Sequence, residues 1–275
     1  MKILVTGAKG MLGQDLCPVL EDEDYEIVET SIENLDITNI NQVEKILSEE
    51  NPDIVIHCAS YTNVDLAETE KTSAEKINVK GTENIAKYCG NNNITLIYIS
   101  TDYVFDGGKP SPYLPEDKPN PINYYGKTKF EGELAVQKYC EKYYIIRTSW
   151  LYGHHGKNFV ETMISLSKNN EVNVVDDQIG CPTWTMDLCE AILNLIEETP
   201  PFGIYHICGS GNTSWYEFAK EIYKQLKLNV NLKPCKTKDF PRPAKRPSFS
   251  AMENNGVCRN WKLALKDYLS LRADI

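Results

Sequence analysis

Lys2-Ile3-Leu4-Val5-Thr6-Gly7-Ala8-Lys9-Gly10-Met11-Leu12-Gly13 opens the chain and orders the segments that follow. Lys2 to Thr6 reads as a buried strand and Gly13 to Leu20 carries helical spacing, so the glycines fall in the turn between strand and helix. A G-x-x-G-x-x-G turn at that place meets three needs of a dinucleotide site: a tight bend, close approach of main chain to a pyrophosphate, and close packing of helix on strand. The helix start adds unpaired N–H groups and a partial positive charge for the phosphates. Glycine turns are common by themselves; the strand before this one and the helix behind it give it meaning.

Outward from the turn, short apolar runs alternate with longer helical stretches. Tyr25 to Glu29, Asp53 to His57, Thr95 to Ser100 and Tyr143 to Arg147 predict strands, while Asn39 to Glu49, Thr72 to Tyr88 and Phe130 to Cys140 predict helices. This rhythm implies right-handed crossovers and a parallel sheet with helices on both faces. The fold class is α/β, a Rossmann-like doubly wound parallel sheet with a smaller C-terminal substrate-binding lobe. After Arg147 the rhythm loosens: helices are expected at Asn158 to Lys168, Thr185 to Glu197 and Ser214 to Leu226, and strands at Val172 to Val175 and Ile204 to Ile207. The proline-rich Pro234 to Pro247 predicts an extended loop. Residues 1–150 are assigned to the dinucleotide-binding domain and 151–275 mainly to the lobe, with some later segments returning to the sheet.

Composition narrows the function classes. A chain of 275 residues with 41% hydrophobic content buries a large core, and no stretch is repetitive or polar enough to read as disordered. A net charge of -10 speaks against a nucleic-acid partner. An anionic small ligand stays compatible with it, because helix N-termini and a few cations act locally. The longest apolar runs, Ile54 to Ala59 and Thr95 to Ser100, fall far short of the roughly 20 residues that span a bilayer. No leader pattern precedes the first strand, and the nine cysteines form no C-x-x-C pair. A cytoplasmic protein with reduced thiols and no bound metal is expected, as monomer or homodimer.

The residues after the second strand separate NADH from NADPH. Glu29-Thr30-Ser31 offers an acid and no arginine, so Glu29 leans toward NADH, while Lys9 stands ready for a 2′-phosphate; both cofactors are retained. For chemistry, Tyr125-Gly126-Lys127-Thr128-Lys129 puts Tyr125 and Lys129 four residues apart on one helix face, with Tyr124 facing Thr128. A phenol titrates near pH 10, roughly, and a neighbouring ammonium lowers that value. With 16 tyrosines the pairing alone is weak. The end of the fourth strand, Ser100-Thr101-Asp102-Tyr103-Val104-Phe105, strengthens it, because a parallel strand delivers its last residues to the ligand edge. There Thr101 or Ser100 offers a hydroxyl to a substrate carbonyl oxygen.

These segments, with Ala59-Ser60-Tyr61-Thr62-Asn63-Val64-Asp65-Leu66-Ala67-Glu68, Arg147-Thr148-Ser149-Trp150-Leu151-Tyr152-Gly153, Asp177-Gln178-Ile179-Gly180-Cys181-Pro182-Thr183 and Arg246-Pro247, resemble the extended short-chain dehydrogenases. Among them the chain is most similar to the dTDP-4-dehydrorhamnose reductase family, over nearly its whole length. The resemblance implies reduction of the C4 ketone of dTDP-4-dehydro-L-rhamnose by NADPH or NADH, giving a sugar donor for cell-surface polysaccharide. It makes Thr101, Tyr125 and Lys129 the catalytic triad. It sets Gly7, Gly10, Met11, Leu12 and Gly13 along the pyrophosphate, Asp36 and Ile37 near the adenine, and Ala59, Ser60, Tyr61 and Ser100 toward the nicotinamide. Asp102, Tyr103, Trp150 and Arg246 then meet the sugar nucleotide. Other 4-ketoreductases, epimerases and a non-catalytic NADP-binding subunit share parts of this pattern. A dehydratase would carry a second carboxylate after Asp102, where Tyr103 stands.

Other residues read both ways. A tryptophan after a strand, as Trp150 is, is as often core as ligand contact, and Arg246 shares a proline-rich loop with Arg242 and Lys245. His154 and His155 read as polar loop residues. The resemblance also brings a magnesium-bridged dimer into view through Asp15 and Asp187, but the helix Trp261 to Leu271 offers no third carboxylate at the matching place, so no metal site is assigned.

Overall fold

The computed structural model describes residues 1–272. Its central sheet is built from β1 (Lys2–Thr6), β2 (Glu26–Thr30), β3 (Ile54–His57), β4 (Thr95–Thr101), β5 (Tyr143–Thr148) and a late strand, Gly203–His206, in the order β2-β1-β3-β4-β5 with the late strand beyond β5. Every pairing is parallel. The chain reverses its direction of travel across the sheet between β1 and β3, and a crevice opens there beyond the carboxyl ends. One helix, α2 (Ile40–Glu50), separates β2 from β3.

Alternation along the strands sorts the core into two layers. Ile3, Val5, Ile54, Ile56 and Ile146 pack against α1 (Met11–Asp22), together with Leu188 and Ile192 of the helix Thr185–Glu198. Leu4, Val55, Leu96 and Ile145 face the other way, onto Val43 and Leu47 of α2 and onto the segment Lys71–Asn91. That segment is α3 (Lys71–Glu75), a π-helical stretch (Lys76–Gly81) and α4 (Thr82–Asn91), where the sequence predicts one helix. The wide turn has a use: Asn78, fully buried within it, accepts from the Ser60 hydroxyl at 2.9 Å and the Tyr61 N–H at 2.7 Å and so fixes the loop after β3.

The helix α5 runs Tyr124–Tyr139, starting well ahead of Phe130 because Asn123 caps it, its Oδ1 accepting from the Gly126 N–H at 2.8 Å. Beyond residue 150 the chain serves both layers. Short β6 (Leu151–Tyr152), α6 (Phe159–Leu166) and β7 (Val172–Val175) start a separate lobe, and β8 (Ile179–Gly180) and β9 (Thr183–Trp184) lead into α7 (Thr185–Glu198) and β10 (Gly203–His206), which return to the sheet. β11 (Thr213–Ser214), α8 (Trp215–Gln225), β12 (Leu232–Cys235) and α9 (Trp261–Ser270) complete the lobe, whose core gathers Phe218, Ile222, Trp261 and Tyr268. The stretch from Pro234 is not all loop: β12 runs through Cys235, parallel to β7, and Thr237–Asp239 is a turn of 3₁₀ helix. Pro234 is tolerated because β12 lies in a two-stranded sheet, where a missing N–H can face solvent.

Candidate active site

A cleft of about 780 Å³ lies between the carboxyl edge of the sheet and the C-terminal lobe. The glycine turn forms one end. Gly7 sits at φ +68°, and a β-carbon there would come within 2.8 Å of the Ala59 main chain, so the loops after β1 and β3 touch as only glycine allows. Gly10 precedes α1 with no side-chain cap, leaving the first N–H groups of the helix without a side-chain partner beside the cleft walls made by Met11, Leu12 and Gly13. An uncapped helix start behind a glycine cradle fits a pyrophosphate.

Further along, Asp36, Ile37 and Thr38 line the same cleft. The Asp36 carboxylate accepts from the Thr38 hydroxyl at 2.7 Å and the Thr38 N–H at 2.9 Å, which hold it below the ordinary aspartate range. Glu29, which the sequence assigns to cofactor choice, is not among the lining residues. β2 runs on to Thr30, and the positions that reach the cleft are Ser31, Ile32 and Glu33, with Glu33 ion-paired to Lys9 across the rim. Tyr61 also departs from expectation. Its hydroxyl donates to Glu70 at 2.7 Å, outside the cleft, while Ala59, Ser60 and Thr62 form the wall.

The end of β4 and the start of α5 meet at the cleft floor. Gly126 permits this: a β-carbon there would lie 2.1 Å from the Tyr103 carbonyl oxygen. Ser100 turns inward and donates to Glu133 at 2.5 Å, and Glu133 is doubly bonded to Arg147, at 3.0 and 2.7 Å, with all three buried. Thr101 is thus the strand-end hydroxyl left on the side of Tyr125, whose pKa it acts to lower. The expected pairing of Tyr124 with Thr128 does not form. Tyr124 donates outward to Glu75, and the Thr128 hydroxyl accepts from Asn78 at 3.0 Å.

Charge at the floor is governed by burial. Tyr125 is pushed up to about 12, burial outweighing the effect of Thr101, and the expected lowering by Lys129 is not among the causes. The reason is geometric: the Lys129 ammonium donates to the Ile99 carbonyl at 2.7 Å and lies 4.2 Å from the Tyr98 ring centroid. Burial pulls Lys129 down to about 7, against the opposing charge of Glu133. Asp102, 2% exposed, is raised to about 7, again by burial, although Ser250 and Thr101 hydrogen-bond to it.

Across from this floor, Trp150 stands at φ +48° with its ring stacked 3.5 Å from that of Trp215, the planes 7° apart. Gly180 packs on Trp150 so closely that a β-carbon would lie 2.4 Å from the ring. Trp215, Thr148 and Ser149 line the cleft without having been anticipated. Trp215 follows the short β11 as the first residue of α8, a place no local sequence pattern connects to the sheet edge. Arg246 does not point into the cleft as the chain stands. It grips Asp65 with two bonds, at 2.8 and 3.0 Å. Tyr103 lies beside Tyr125, edge to face at 6.1 Å.

His154 stacks on Tyr268, and His155 Nε2 lies 3.4 Å from Asp15. Asp15 also accepts from Thr185, and Asp187 is paired with Arg259 at 3.0 Å. Among the described residues no group of three or more His, Cys, Asp or Glu is arranged to hold a metal.

Residues 1–272 match the family described as RmlD substrate binding domain. The spore coat polysaccharide biosynthesis protein SpsK of Bacillus subtilis is 39% identical over 99% of this chain and 98% of its own. A crystal structure of a dTDP-4-dehydrorhamnose reductase from Clostridium acetobutylicum superimposes with a TM-score of 0.96 at 44% identity, covering 98% of this chain and 99% of that one. The enzyme of that name from Bacillus anthracis, solved in complex with NADP, gives 0.95 at 42% with the same coverage. The chain belongs to the RmlD substrate binding domain family, that of the dTDP-4-dehydrorhamnose reductases.

Proposed function

We propose that this chain reduces the C4 ketone of dTDP-4-dehydro-L-rhamnose to the alcohol of dTDP-L-rhamnose, using NADPH or NADH, in nucleotide-sugar synthesis for polysaccharide. The observation that carries the reading is the meeting of Thr101, Tyr125 and Lys129 on the floor of the cleft that the glycine turn enters. The bound dinucleotide supplies a hydride. Tyr125 supplies the proton: a phenol held near 12 keeps its hydrogen until an alkoxide-like oxygen forms beside it, then gives it up. Thr101 donates to that same oxygen and orients it. Lys129, free to exchange the Ile99 carbonyl for ribose hydroxyls, holds the cofactor's nicotinamide end. Gly7, Gly10, Met11, Leu12 and Gly13 hold the pyrophosphate, Asp36 and Ile37 the adenosine, and Ala59 with Ser60 the wall beside the nicotinamide. Asp102, Tyr103 and Trp150 face the sugar nucleotide, and Arg246 joins them by releasing Asp65.

A cytoplasmic setting belongs to the same proposal. All nine cysteines are free thiols, and no described helix is long and apolar enough to cross a membrane. The decisive assay follows the near-ultraviolet absorbance of NADPH and NADH in turn with dTDP-4-dehydro-L-rhamnose. Sugar-dependent loss of absorbance, with dTDP-L-rhamnose as product, is the expected result. No oxidation of either cofactor would transfer the cleft to an epimerase or a non-catalytic binding role.

A further inference from the structure

Behind the reacting groups lies a buried carboxyl, Asp102, held between two hydroxyls, Thr101 and Ser250. The Ser250 hydroxyl, 2% exposed, donates to Asp102 Oδ2 at 2.5 Å. The other oxygen, Asp102 Oδ1, is 3.1 Å from the Thr101 hydroxyl, which is held by the Tyr103 N–H at 3.2 Å and lies near enough to the Tyr125 phenol to act on its pKa. Ser250 comes from the far end of the chain, in the strap after Pro247. It is pinned there because its N–H donates to the Ile179 carbonyl at 2.8 Å. A serine brought across such a sequence distance into a dry site points to a role beyond packing.

We propose that Asp102, held in register by Ser250, is a proton store that recharges Tyr125 through the Thr101 hydroxyl after each reduction. This rests on the reductase reading. In the chemical step the Tyr125 O–H bond breaks as the substrate O–H bond forms. In the recharging step the Thr101 O–H breaks as the Tyr125 O–H re-forms, and the Asp102 carboxyl O–H breaks as the Thr101 O–H re-forms. One proton has passed from the carboxyl to the product alcohol, no electrons have moved, and Asp102 remains as a carboxylate receiving the Ser250 hydroxyl. Asp102 lines the cleft, so a hydronium ion from water returns the proton once product leaves.

Charge around the carboxyl suits this use. The titratable groups that feel it are Tyr125 on α5, Tyr103 on its own turn, and Cys208 after β10; all three are neutral at neutral pH, and no cation is among the causes acting on Asp102. Burial raises it to about 7, so acid and carboxylate are both populated under working conditions. Asp102 and Ser250 are positioning residues: neither needs to touch the reacting atoms.

The test pairs a titration with kinetics. The Asp102 carboxyl carbon is followed by NMR in ¹³C-aspartate-labelled protein, assigned by its loss in Asp102→Asn. Protonation is expected near neutrality, moving up by about half a unit or more in Ser250→Ala, where the carboxylate loses a donor, and returning in Ser250→Thr. In turnover, kcat of the wild type should fall as pH rises through that same value, and the limb should shift with Ser250→Ala. Asp102→Asn should lower kcat at least about tenfold, abolish the limb, and leave cofactor binding intact. A carboxyl already fully ionised at about pH 5 overturns the proposal, since the store is then empty at working pH. So does an Asp102→Asn variant that raises only KM, which makes Asp102 a sugar contact and nothing more. The NMR arm needs no turnover, so an enzyme that never oxidises cofactor sinks the reductase reading while the titration still decides the state of Asp102.

Discussion

At the scale of single residues, burial is the largest influence on the reacting groups at the cleft floor. Tyr125, Lys129 and Asp102 each sit far from their ordinary titration range because the floor is dry, and each shift favours the uncharged form. Tyr125→Phe keeps the ring and removes the proton. It should lower kcat by roughly 10²–10⁴-fold while the affinity for NADPH, read by fluorescence titration, stays within about twofold. A second residue-scale effect concerns stability. His206 is buried with its Nδ1 at 3.1 Å from the Tyr113 carbonyl, and burial lowers it to about 3; His57, between Thr6 and Thr82, is lowered to about 3 by the same cause. The folded protein therefore holds both imidazoles neutral, whereas the unfolded chain binds protons below about 6.5. Their stabilisation is complete above that value and is lost as pH falls toward 3. His206→Gln should flatten the slope of unfolding free energy against pH, measured with urea between about pH 4 and 6, by about one proton, or about 1.4 kcal/mol per pH unit.

At the scale of elements, the contact between α5 and the sheet carries the site. Glu133 on α5 and Arg147 on β5 form a two-bond ion pair, each side chain 1% exposed, and Ser100 at the end of β4 completes it. One buried ionic knot ties the helix bearing Tyr125 and Lys129 to the strands bearing Thr101 and Thr148. Arg147→Met strands the carboxylate and should cost about 3–5 kcal/mol in urea unfolding, while Arg147→Met with Glu133→Leu should recover most of that loss. Recovery of stability without recovery of kcat would show that the knot aligns the elements as well as holding them.

At the scale of the whole molecule, the cleft joins two separately packed bodies: the two-faced sheet core and the lobe core around Phe218 and Tyr268. Trp215, with Leu151, brings the lobe to the cleft wall, and its stack with Trp150 spans the junction. Holding a tryptophan at positive φ costs on the order of 1–3 kcal/mol, which Gly180 on one side and Trp215 on the other offset by packing. Trp215→Ala frees the Trp150 ring and should raise KM for the sugar nucleotide about three- to tenfold, with NADPH affinity unchanged, since an aromatic pair contributes on the order of 1 kcal/mol beyond its buried area. Equal losses of cofactor and sugar affinity would instead mean that the lobe as a whole had moved.

What the sequence determined by itself was local and periodic. The glycine turn, the five leading strands, most of the helices between them, and the shared helix face of Tyr125 and Lys129 were legible because each depends on spacing within a few residues and on delivery by parallel strands to one edge. Tertiary structure decided what depends on which distant groups are near. It gave Ser100 to Glu133 and left Thr101 to Tyr125, brought Ser31 and Glu33 rather than Glu29 to the cleft, turned Tyr61 out to Glu70, and set Arg246 on Asp65. It also brought Trp215 and Ser250 to the cleft and its floor from segments far along the chain. The physical reason is the same throughout: spacing fixes which face a side chain occupies, whereas partners and dielectric surroundings, and through them each group's charge, exist only once remote segments have packed together.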